Sequence, residues 1–116
     1  MTLPQSFDDL VKVAVSKQLY GKLIDQLNKD LIYANIDVRF DRDVLPESLK
    51  LLLQEIIFKL INEKFSDYLN VLYIVDVSEN EVRKLEGNDT FQLSKEVTFL
   101  ILKREWQKVW YKHQYS

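Results

Sequence analysis

Any chemistry in this chain must come from carboxylates, hydroxyls, basic side chains and aromatic rings, because cysteine is absent and His113 is the single histidine. A thiol nucleophile, a disulfide framework and a thiolate zinc site are excluded. His113 follows Lys112 in a polar tail with no carboxylate beside it, so it reads as a solvated side chain and not a metal ligand. Asp41 and Asp43 flank Arg42, and Asp37 precedes Arg39. Such oxygen-rich stretches can hold a hard cation, but the central glycine of a calcium loop is missing. The plainer reading is a solvated loop with screened ion pairs worth ~0–1 kcal/mol each. Asp76 is sharper, since it closes the apolar run Val71-Leu72-Tyr73-Ile74-Val75 and precedes Val77. A carboxylate buried there must be paired, hydrogen-bonded or protonated. Capping the helix that begins near Ser78, or a structural ion pair, meets that need without catalysis.

The aromatic and cationic residues near the end form the other candidate. Trp106, Trp110, Tyr111 and Tyr115 are interleaved with Arg104, Lys108 and Lys112, a mixture that can stack on bases while cations meet phosphates. The alternative buries Trp106, Val109 and Trp110 and leaves the cations as a helix end favoured by the negative end of the dipole. Residues 95–116 carry five basic and two acidic side chains, a net +3, while residues 1–94 carry 11 basic and 16 acidic, a net −5. The overall charge of −2 weighs against nucleic acid as the main partner, because affinity there rests on neutralising phosphates. No spacing supplies a nucleophile with its base. The chain reads as a non-enzyme, with no catalytic, cofactor-binding or metal-binding residue.

The elements that must position these groups are helical. The 116 residues include 18 leucines but only two glycines and two prolines. Straight-chain residues lose little freedom in helices, whereas sheets need turn residues that are scarce here. Length predicts one domain, 1–116. Ser6 caps a first helix over about 6–17, with Phe7, Leu10, Val11 and Ala14 at helical spacing. Tyr20, Leu23, Ile24, Leu27 and Leu31 define a second over 19–33. Residues 35–45 read as a linker, although alternating Ile36, Val38 and Phe40 would suit a strand. Pro46 opens a helix over 46–65 that is apolar nearly all round, and it is the expected centre of the bundle. Residues 68–77 fit a buried strand or a helix with Leu69, Leu72 and Tyr73 inward. Ser78-Glu79-Asn80-Glu81 begins a short helix that ends near Gly87, and a last helix runs from between Asp89 and Ser94 to about Lys112.

Two stretches, Leu72-Tyr73-Ile74-Val75-Asp76-Val77-Ser78-Glu79 and Ile101-Leu102-Lys103-Arg104-Glu105-Trp106-Gln107-Lys108, together resemble a pattern of small uncharacterised bacterial helical proteins. The resemblance covers the C-terminal half and implies helix, and nothing about chemistry. The expected fold is therefore an all-α bundle of five or six helices around 46–65. The alternative is α+β with strands at 36–40 and 70–76, one form of it adding a third at 97–102. Surplus apolar faces predict a protein-interaction or assembly domain, either a homodimer or a complex with an unrelated partner. A small acidic protein that neutralises a basic partner would be one form of it. The expected contact residues are Leu51, Phe58, Ile61 and Phe65, or Phe99, Trp106 and Trp110. A nucleic-acid- or anionic-surface-binding module using Arg104, Lys108 and Lys112 is the second reading. No membrane span is expected, nor a secretory signal, which points to the cytoplasm.

Overall fold

The computed structural model describes residues 3–85 and 89–115. Six helices follow one another: α1 (Phe7–Ser16), α2 (Tyr20–Tyr33), α3 (Pro46–Glu63), α4 (Phe65–Val75), α5 (Glu79–Arg83) and α6 (Thr90–Tyr115). No strand occurs among the described residues, so the all-α reading holds and the α+β alternative does not. Gly87, expected to end the Ser78 helix, lies outside the described residues.

Three of the helix stops among the described residues are made without glycine. Gln18, Asn35 and Asp76 take positive φ, at 59°, 64° and 70°, and each stops a helix. After α1, Gln18 N–H donates to the Val15 carbonyl and Leu19 N–H to the Ala14 carbonyl; after α2, Asn35 N–H donates to Ile32 and Ile36 N–H to Leu31. These are the paired bonds of a Schellman stop, closed by an apolar contact between the residue after the left-handed position and the last turn. Leu19, Ile36 and Val77, which follow the three left-handed residues, are all buried. Burial of the next apolar residue thus offsets the roughly 1–2 kcal/mol that a side chain adds to a left-handed backbone.

Residues 36–40 bury Ile36 and Phe40 but pair with no strand. The Asn28 side chain takes the place of one, donating from Nδ2 to the Phe40 carbonyl and accepting the Phe40 N–H at Oδ1, both at 2.8 Å. At α1, Ser6 Oγ accepts the Asp9 N–H at 3.1 Å, as its position before Phe7 predicts.

The hub is α6, not α3. At ~1.5 Å per residue α6 runs about 39 Å, and it packs against α1, α2, α3 and α4. It buries Val97, Ile101, Leu102, Glu105, Trp106 and Val109. The α3 helix buries one stripe, Leu49, Leu53, Ile57 and Leu60, while Leu51, Leu52 and Phe58 on its other sides are exposed. Apolar composition alone could not say which of the two apolar helices would be surrounded. The α4 helix also turns differently from expectation. Tyr68, Val71 and Val75 face the core, and Leu69 and Tyr73 face out.

Candidate functional site

The three cations expected to form a basic patch stand in a row on α6, and each is engaged inside the chain. Arg104 donates from Nε to the Asp76 carbonyl at 3.1 Å and from Nη2 to Asp76 Oδ2 at 3.0 Å. Lys108 Nζ donates to Asp30 Oδ2 at 2.7 Å and to the Ile74 carbonyl at 3.4 Å. Lys112 Nζ donates to Gln26 Oε1 at 2.7 Å. These bonds tie α6 to α2 and α4. Asp76 therefore serves as the left-handed stop of α4 and as the partner of Arg104, with its carboxylate outward and not buried. Ser78 Oγ, and not Asp76, accepts the Glu81 N–H that caps α5.

Between α2 and α6 lies a polar seam that sequence reading missed. Glu105 is 0% exposed, and neither of its oxygens accepts a hydrogen bond among the described residues. Its neighbours are Asp30, also buried, and Lys108 Nζ, 3.5 Å from Oε1. Burial drives the Glu105 carboxyl up, the bond to Asp30 and the charge of Asp30 add to this, and Lys108 opposes it; the result is about 9. For Asp30, burial acts to raise its pKa. The hydrogen bond from Glu105 and the contacts of Lys108 and Gln26 outweigh it and hold the carboxyl below its ordinary range. At neutral pH Glu105 is thus the protonated donor and Asp30 the ionised acceptor. The signal was present in register. Asp30 stands seven residues after Leu23 and three after Leu27, and Glu105 stands four after Ile101 and three after Leu102, so both occupy apolar-stripe positions. A group with no access to solvent reaches no substrate, and the pair is a structural one.

The expected contact residues differ in exposure. Trp106 is 1% exposed, which removes it from any docking face: α6 is covered on that side by its own chain. Trp110 is half-buried, with Lys17 over its ring at 5.5 Å and the His113 ring against it. Ile61 and Phe99 are half-buried against the core. Leu51, Phe58 and Phe65 are exposed, and the Phe58 ring meets that of Phe91 edge-on at 6.0 Å. In the 35–45 connection, Arg42 pairs with Asp25 at 3.1 Å and covers Gly21, where a Cβ would come within 2.9 Å of its guanidinium.

An apolar concavity lies between α4 and α5. It is an open groove of about 940 Å³, walled by Leu69, Leu72, Tyr73 and Ile74 on one side and Val77 and Val82 on the other. Leu69 is 50% and Tyr73 79% exposed. Phe65, Leu69 and Tyr73 follow at i, i+4 and i+8, one stripe of a helix. Asp76 and Glu79 stand on the rim, and its one cation, Arg83, reaches Glu79 at 3.6 Å. Among the described residues no helix is long and apolar enough to cross a membrane, and no group of three His, Asp or Glu side chains could hold a metal.

A scan against protein-family models, a search of curated proteins and a search of solved structures each give no match.

Proposed function

We propose that this protein is a non-catalytic interaction domain that receives a basic amphipathic helix of a protein partner in the groove between α4 and α5. The observation that carries the reading is the outward stripe of Leu69 and Tyr73 along an apolar groove. Helix-in-groove recognition uses anchors at i, i+3 or i+4, and i+7 on the incoming helix, and large side chains left in water on a groove wall supply its apolar surface. Asp76 already faces Arg104 and Glu79 faces Arg83, so the preference for lysine or arginine beside those anchors rests on the net charge of −2 of the whole chain. This agrees with a small acidic protein that neutralises a basic partner. Nucleic acid is the weaker reading, because Arg104 and Lys108 already face carboxylates and have little charge left for phosphates. The cysteine-free composition fits work in the cytoplasm.

The test is fluorescence anisotropy with a labelled synthetic Leu/Lys amphipathic helix. Binding weakens tenfold or more, about 1.4 kcal/mol, in Leu69→Ser/Tyr73→Ser, and also when Lys is replaced by Glu in the peptide. Equal binding by wild type and double variant would refute the groove. A second copy as occupant would show as a dimer in light scattering that the peptide dissociates.

A further inference from the structure

The α2–α6 seam encloses two carboxyl groups and one ammonium. Glu105 is fully buried and Asp30 nearly so, and Lys108 Nζ stands 2.7 Å from Asp30 and 3.5 Å from Glu105. One cation does not balance two carboxylates removed from water, and like charges sharing such a site do not both ionise. The hydrogen bonds decide which one keeps the proton. Asp30 accepts from Gln26 at 3.2 Å and from Lys108, as an anion does, whereas among the described residues neither Glu105 oxygen accepts a hydrogen bond. Protonated, Glu105 becomes a donor to Asp30.

We propose that Asp30 and Glu105 share a single proton that latches α2 to α6, and that losing this proton to alkaline solution releases the seam. The surrounding elements offer no substitute. From α4 come the Ile74 carbonyl, bonded to Lys108, and Asp76, held by Arg104. Lys112 is turned to Gln26, and Lys17 rests on Trp110. The buried residues of α1 and α3 are all apolar. The latch does not rest on the docking reading, although Ile74 and Asp76 border both the seam and the groove.

The sign follows from linkage. The Glu105 carboxyl is raised from 4.5 to about 9, so between those values the folded chain holds one proton more than the unfolded chain. Over that window the unfolding constant rises by up to tenfold per pH unit, and it levels off above pH 9. Asp30 acts oppositely: its contribution is present above its unfolded pKa and is lost only in acid, as pH falls through its lowered folded value. Urea unfolding from pH 6 to pH 9 reads the effect. Wild type loses stability toward tenfold per pH unit, and Glu105→Gln, which carries a permanent donor, is flat. A Glu105→Gln slope equal to that of wild type overturns the latch. If the variant does not fold, carboxyl-carbon NMR of the wild type decides. A Glu105 resonance that moves near pH 9 supports the shared proton, and one that moves near pH 4.5 overturns it.

Discussion

Replacing Asn28 by Leu tests whether a side chain stands in for a strand. Asn28 and Phe40 are both buried, and the amide makes two bonds of 2.8 Å with the Phe40 backbone. Leucine keeps the branching at Cγ and offers neither bond, so one N–H and one carbonyl lose their partners. An unpartnered buried backbone group costs about 1–3 kcal/mol. Arg39 and Asp41, on either side of Phe40, are exposed, and water entering beside them relieves part of the loss. The expected destabilisation is about 3 kcal/mol, toward the lower end of that range for two groups. Urea unfolding at 25 °C, followed by the fluorescence of buried Trp106, reads it directly. At roughly 4 °C of melting temperature per kcal/mol for a chain of this size, the midpoint falls by about 12 °C. A loss under 1 kcal/mol, with the Phe40 amide still protected from exchange, would refute the clamp.

Two further substitutions follow from the same geometry. Gln18 holds φ of 59° at the stop of α1, so Gln18→Gly should raise the melting temperature, with a gain of about 1 kcal/mol in unfolding free energy from removing the Cβ strain. The Tyr68 hydroxyl is buried without a hydrogen-bond partner among the described residues, and burial raises its pKa; Tyr68→Phe should be neutral or stabilising by up to about 1 kcal/mol in the same unfolding assay, because it removes a desolvated polar group and keeps the ring.

Helix positions were legible because their signals are local. Ser6 before Phe7 and Pro46 at the first turn of α3 mark starts by caps and fixed φ, whereas 68–77 stayed open between strand and helix because a short apolar run suits either. The stops were harder to read. Gln18, Asn35 and Asp76 are not glycine, and their left-handed geometry shows in the sequence only through the apolar residue that follows each. The choice of hub was not legible, since α3 and α6 are both apolar on two sides and only packing decides which is surrounded. The same limit hid the groove: Tyr68, Val71 and Val75 form as apolar a stripe as Leu69, Leu72 and Tyr73, and periodicity ranks neither. The cations of α6 were visible, but Asp30, from a distant helix, was not visible as the partner of Lys108.

The most direct measurement is a ¹⁵N NMR titration of the whole chain with the Leu/Lys peptide. The account predicts that amide shifts concentrate at Leu69, Leu72, Tyr73, Val77 and Val82, the groove between α4 and α5, and leave Arg104, Lys108 and Lys112 unmoved. Shifts confined to those three α6 cations or to Leu51 and Phe58 on α3, or no shifts at all, would contradict it.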